Sequence, residues 1–194
     1  MNHPRPILRR GFQSVNVDET EIPTDVMVWS DDSLVGRQPL RAWLASDRSI
    51  ATCMSIKPRQ KRASERFQRS DFAARTGLGE LIKLCTGPVL SVNLLATGKI
   101  GSCTHAHQDD YDNLVYLVKG KKTWYMAPPD TDLSKCCKSY QVKRGHRLGE
   151  QDLALFEMVT QEAGDVLFVP RMWWHQVESA PQTLAYSLFH LANV

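Results

Sequence analysis

Apolar residues along this chain fall in short blocks, alternating or continuous, broken every few positions by Gly, Pro, Asn or Asp. Blocks of that length bounded by turn residues predict strands and hairpins rather than a helical bundle. Residues 5–12, around Pro6-Ile7-Leu8, read as a short strand and turn, and residues 26–29 and 50–56 as further strands. Residues 89–96 form a β-rich run that ends in a two-glycine turn at 97–101. Residues 114–118 and 122–126 are the arms of a hairpin closed by Lys119-Gly120-Lys121, and Pro128-Pro129 stops the second arm. Residues 166–169 read as a buried-type strand and 183–189 as the last one, while 130–161 is polar and irregular with no element predicted. Helical spacing is confined to a turn at 40–44 behind Pro39 and to a run after Ser70-Asp71-Phe72, carrying Leu78, Leu81, Ile82 and Leu84. The pattern predicts one mainly β domain over residues 1–194, a barrel or sandwich with helices mostly in the N-terminal half.

Composition narrows the setting. The chain has 194 residues, 42% hydrophobic and 23% charged, with a net charge of +3. These are ordinary globular values, and the charge is too small to argue for nucleic acid. No run reaches the roughly 20 apolar residues of a spanning helix, and no apolar leader stands at the start. The five cysteines are an odd number without a C-x-x-C pair, which suits a reducing compartment. An intracellular site, cytoplasmic or nuclear, is therefore expected. Residues 57–75 carry seven basic residues against Glu65 and Asp71, and five more lie between Lys135 and Arg147 with no acid among them. Such runs are usually a solvated face, or else a docking surface for an acidic partner.

The chemistry concentrates in Thr104-His105-Ala106-His107-Gln108-Asp109-Asp110-Tyr111-Asp112-Asn113 and, far downstream, in Gly164-Asp165-Val166-Leu167-Phe168-Val169-Pro170-Arg171-Met172-Trp173-Trp174-His175. If the first stretch is a regular strand, alternate side chains share a face, so His107 and Asp109 point together and His105 joins them. His175 from a distant strand would complete two histidines and one carboxylate, a set that leaves coordination positions open on a metal such as Fe(II). A second grouping stays open: His105, His107, His175 and an acid such as Asp112, as in metal cupins of other chemistry. Of Trp173 and Trp174, one should face the core and the other the site. Lys121 should face solvent and Lys122 the interior.

T-H-A-H-Q-D-D-Y-D-N-L, K-G-K-K-T-W, A-P-P and G-D-V-L-F-V-P-x-x-W-W-H-Q-V-E-S together resemble the JmjC (jumonji-type) 2-oxoglutarate oxygenases. The likeness is greatest to the small hydroxylase branch that includes the asparaginyl hydroxylase of hypoxia signalling. The resemblance implies a double-stranded β-helix, the cupin-type jelly-roll barrel, working with Fe(II), 2-oxoglutarate and O2. It implies His107, Asp109 and His175 as catalytic metal ligands, with Lys122, Thr104 and Asn113 on the 2-oxoglutarate. In this register the His105 grouping is disfavoured. Where many relatives carry an asparagine and then a tryptophan near the end, this chain has Ser187 and Phe189, and no position is assigned to a tyrosine that some relatives use. The implied activity is hydroxylation of a protein or peptide side chain, an acidic substrate being one expectation, with no membrane partner. Demethylation, oxidation of a small molecule or nucleic-acid base, and a non-catalytic binding module are the other classes.

Overall fold

The computed structural model describes residues 4–12, 25–30, 33–39, 42, 45, 52–56, 77–133 and 148–192. In chain order the elements are β1 (Ile7–Arg9), β2 (Asp25–Ser30), β3 (Ser33–Pro39), β4 (Thr52–Ile56), α1 (Leu78–Leu84), β5 (Val89–Ala96), β6 (Ser102–His107), β7 (Asp112–Lys119), β8 (Lys121–Ala127), α2 (Glu150–Leu153), β9 (Glu157–Glu162), β10 (Val166–Val169), β11 (Trp174–Ser179) and β12 (Leu184–His190). The basic runs at 57–75 and 135–147, the region 70–76 and, apart from Ala42, the turn at 40–44 lie outside the described residues.

Two antiparallel sheets result. The larger has the order β1-β10-β7-β12-β5-β4-β2-β3 and the smaller β6-β11-β8-β9. From β5 to β12, strands consecutive in the chain alternate between the two sheets except at β8 and β9, which pair as a hairpin. Neighbours within each sheet are therefore mostly distant in sequence, as expected of a jelly-roll barrel. Between the sheets lies one apolar cluster drawn from both: Val115, Leu117, Trp124, Met126, Leu167, Val169, Trp173, Val177 and Ala185. A second cluster covers the outer face of the large sheet, where Leu78, Leu81 and Ile82 of α1 close over Val92, Leu94, Leu114, Tyr186 and Leu188. Each such side chain, fully buried, contributes about 1.5–3 kcal/mol. The third cluster lies outside the small sheet and joins Ala106 and Trp174 to Leu133, Leu148 and Phe156.

Three sequence expectations are corrected. Residues 130–161 do contain elements, α2 and the strand β9, which pairs with β8 from Lys121↔Glu162 to Met126↔Glu157. Exposed Glu157, Met158 and Glu162 hide the strand from a pattern reading, and its partner supplies what local propensity does not. Trp173 and Trp174 are divided between two cores, the interior cluster and the outer one, so neither is left for the site alone. The stretch 104–113 is not a regular strand, as described next.

Turn chemistry follows the sequence closely. Gly120 closes the β7–β8 hairpin with φ 87°, and a Cβ there would stand 2.5 Å from Thr183 Oγ1. Asp165, in the turn before β10, accepts hydrogen bonds from Arg10, Gly11 N and Glu162 N. Burial alone would raise its carboxyl, but those N–H groups and the Arg10 guanidinium outweigh it and hold the group below the ordinary carboxylate range. This carboxylate fastens β1 to the barrel.

Candidate metal centre

β6 carries the first histidine, and its pairing with β11 contains an irregularity that sets the site. His107 stands opposite His175, but the next partners are Thr104 and Val177. Three steps on β6 are matched by two on β11, so His105 and Ala106 together face Gln176. That is a β-bulge, and it reverses the alternation of the strand. Cross-strand partners share a face. Val177 belongs to the interior cluster, so Thr104 is brought to the same face as His107, three residues away, which a regular strand would forbid. Thr104 remains solvent-exposed there, as does His105.

The strand ends at His107, so Asp109 is not placed by the ladder as expected. It is placed by a clasp with the turn before β11. Met172 N donates to Asp109 O at 2.8 Å, Gln108 Nε2 donates to Met172 O at 2.7 Å, and Arg171 N donates to Asp112 Oδ1 at 2.8 Å. Met172 adopts a left-handed backbone, φ 64°, a strained conformation for a residue with a side chain. These contacts bring the segment after one histidine against the segment before the other.

The outcome is a converging set. His175 Nε2 lies 3.4 Å from Asp109 Oδ2, and His107 Nε2 lies 3.9 Å from Asp109 Oδ1. The candidate ligand atoms of the three residues all lie within 4.8 Å of one another. Each imidazole is also oriented from behind. His107 Nδ1 is 2.7 Å from His105 O and His175 Nδ1 is 2.9 Å from Trp173 O. A carbonyl only accepts, so Nδ1 carries a proton, and Nε2 is the ring atom turned towards the position a metal would take. Burial, reinforced by His175, pushes His107 below its ordinary value despite the nearby carboxylate, which favours the neutral ligand form. Asp109 is held low: burial opposes this, but the hydrogen bond and charge of His175 and the charge of His107 prevail. Two imidazoles and a carboxylate converging on one point form a donor set that fits a divalent ion with positions to spare. Among the described residues His105 and Asp112 are not part of this group.

Deeper along the interior face of β8 lies Lys122, opposite Ser179 and Gln161. It is 5% exposed, its Nζ donates to Ser179 Oγ at 2.9 Å, and burial pushes its ammonium down to about 8. Lys121 is exposed, as predicted. Asn113 is buried and accepts from Ser187 Oγ at 2.8 Å, so the serine on the last strand has a defined partner. Asn93 stands opposite Ser187 and is buried too. Trp124 is a neighbour of the site that the sequence did not single out. Its ring centroid lies 6.0 Å from that of His175, and its Nε1 is satisfied by Gln161 Oε1 at 3.0 Å. The K-T-W run could have suggested it, since Lys122 and Trp124 share a strand face.

Comparison with known proteins agrees with this architecture. The cupin-like domain model matches residues 60–193. HSPB1-associated protein 1 of Mus musculus is 34% identical over 130 residues, covering 50% of this chain and 24% of that protein. The lysine-specific demethylase JMJ31 of Arabidopsis thaliana is 28% identical over 101 residues, 45% of this chain and 18% of that protein. The ribosomal oxygenase YcfD of Escherichia coli, solved with cobalt and 2-oxoglutarate, superposes with a TM-score of 0.56 at 12% identity, covering 98% of this chain and 49% of that one. The matched region is thus about a quarter of the first of these proteins and half of the last. Sheets and family model agree: the chain belongs to the cupin-like domain family.

Proposed function

We propose that this protein is an Fe(II)- and 2-oxoglutarate-dependent oxygenase that hydroxylates a side chain of a protein or peptide, releasing succinate and CO2. One observation carries the reading: a site for two imidazoles and a carboxylate stands at one end of a barrel face whose buried ammonium lies further in. Met126 is opposite His175 and Lys122 is four residues along the same strand, about 13 Å by strand rise. That span suits an elongated dicarboxylate better than a small anion.

His107, Asp109 and His175 would hold the metal through Nε2, carboxylate and Nε2. With iron bound, 2-oxoglutarate and O2 supply the oxidising power to insert oxygen into a C–H bond as the keto acid becomes succinate. Lys122 and Thr104 receive the far carboxylate of the cosubstrate, the ammonium through a charge-assisted contact. Asn113, steadied by Ser187, lines the same pocket. Trp124, Val177 and Met126 keep the inner wall apolar, which excludes water and strengthens the electrostatic contacts within.

A protein substrate is supported by the activities for which the relatives are named, a ribosomal oxygenase and a lysine-specific demethylase. The basic runs at 57–75 and 135–147 favour a substrate with acidic groups, in the cytoplasm or nucleus. The test needs no substrate: protein loaded with Fe(II) and given 2-oxoglutarate and O2 should release succinate slowly, and Lys122→Ala should demand roughly tenfold more 2-oxoglutarate. A loaded protein that binds metal yet never forms succinate would leave a metal cupin of other chemistry in its place.

A further inference from the structure

We infer that Gln108, the residue between His107 and Asp109, is a positioning residue that sets the metal affinity of the site through Met172. The inference rests on reading His107, Asp109 and His175 as the metal ligands. His107 and His175 are placed by paired strands, but Asp109 lies beyond the end of β6. Its direction must come from elsewhere.

The contacts identify the source. The Gln108 amide closes on Met172 O at 2.7 Å, and Met172 N returns to Asp109 O at 2.8 Å. Residues 108, 109 and 172 thereby form one closed loop of bonds, in which both polar groups of Met172 are used. That arrangement requires the left-handed backbone of Met172, φ 64°, because an extended residue directs its N–H and C=O differently. Met172 lies three residues before His175 and is itself exposed, so burial of its side chain does not offset the strain. The side chain of Gln108 is the removable element of the clasp. Without it the Met172 carbonyl is released, the left-handed turn loses a restraint, and the Asp109 carboxylate is free to swing from the two Nε2 atoms it now faces. Outer groups that orient metal ligands commonly govern affinity by roughly 10–100-fold.

Two substitutions of similar length separate the hydrogen bond from mere bulk. Gln108→Met keeps the chain but donates nothing, whereas Gln108→Lys keeps a donor at the end of an aliphatic stem. The Gln108 contact is at the surface, so both proteins should melt as the wild type does without metal. Co(II) affinity is measured by calorimetry, and the visible absorption of the bound Co(II) reports its ligand geometry. Gln108→Met is expected to bind Co(II) roughly tenfold more weakly with an altered spectrum, and Gln108→Lys to recover most of both. Equal binding by wild type and Gln108→Met overturns the inference, and so does an equal loss in both variants. If the wild type itself binds no Co(II), it is the reading of the metal centre that fails instead.

Discussion

Replacing Lys122 by methionine should make the metal-free protein more stable at neutral pH while weakening its hold on a dicarboxylate. Lys122 is 5% exposed. Its contacts among the described residues are Ser179 Oγ at 2.9 Å and the Trp124 ring at 6.0 Å, neither of them an anion. Burial pushes the ammonium from 10.5 to about 8. At about 1.4 kcal/mol per pH unit, this gap corresponds to about 3 kcal/mol of destabilisation when the lysine is charged in both folded and unfolded chains. The sign follows from counting protons. Between about pH 8 and 10.5 the unfolded chain keeps a proton that the folded one has released, so stability rises with pH across that window. Below it the cost is present in full, and above it the cost is gone. Methionine keeps the apolar stem and drops the charge; losing the Ser179 contact returns about 1 kcal/mol. The net gain at pH 7 should be roughly 2 kcal/mol, and by pH 10.5 it should have reversed to a deficit of at most about 1 kcal/mol, the lost Ser179 contact. Urea unfolding at pH 7 and pH 10 reads it as a shift of midpoint at constant slope. Added 2-oxoglutarate should raise the wild-type midpoint more than the variant's at the same concentration. A variant less stable than wild type at pH 7, or an advantage that persists at pH 10, would refute the picture of a buried cation awaiting its anion.

Other perturbations test separate parts of the structure. His107→Ala, Asp109→Ala and His175→Ala should each lose Mn(II) or Co(II) binding by equilibrium dialysis, while His105→Ala keeps most of it; equal loss in His105→Ala would restore that residue to the ligand set. Asp165→Asn should lower stability by about 2 kcal/mol at pH 7, measured by thermal melting. Because the folded carboxyl is held below 3.8, the wild-type advantage is present above that pH and should fade as acidity passes the lower, folded value. Gly120→Ala should cost about 1–3 kcal/mol, since φ 87° and the Thr183 hydroxyl at 2.5 Å leave no room for a methyl group; an unchanged melting temperature would contradict the hairpin geometry.

Much of this was legible in the chain itself, and the limits are physical. β5, β7, β8, β10 and β12 announce themselves because each buries apolar residues between clear turn residues such as Gly120 and Pro128. β9 does not, because its exposed Glu157 and Met158 and buried Gln161 invert the usual pattern, and only its pairing with β8 makes it a strand. His107, Asp109, His175 and Lys122 were singled out by motif, yet strand alternation wrongly put His105 on their face and gave the wrong reason for the placement of Asp109. A bulge at His105 and Ala106 depends on the partner strand, which no local reading contains. It alone puts Thr104 beside His107 and takes His105 out of line. The position of Asp109 likewise depends on Met172, a residue 63 places further on, whose left-handed backbone the sequence does not reveal because methionine has no preference for it.

His107 and His175, the two histidines of the candidate site, share a device with a wider consequence. Each ring is steered by a carbonyl two residues upstream on its own segment, His105 O for His107 and Trp173 O for His175. Neither lock uses a side chain of the pocket lining. Aiming the imidazoles is therefore a separate task from shaping the cavity, and the two can be altered independently. A barrel built this way is a chassis: residues such as Asn93, Ser187 or Phe189 can be exchanged to admit a different guest without re-aiming the rings. For redesign, this marks the interior of β5 and β12 as the ground to change, and residues 105 and 173 as backbone to leave undisturbed.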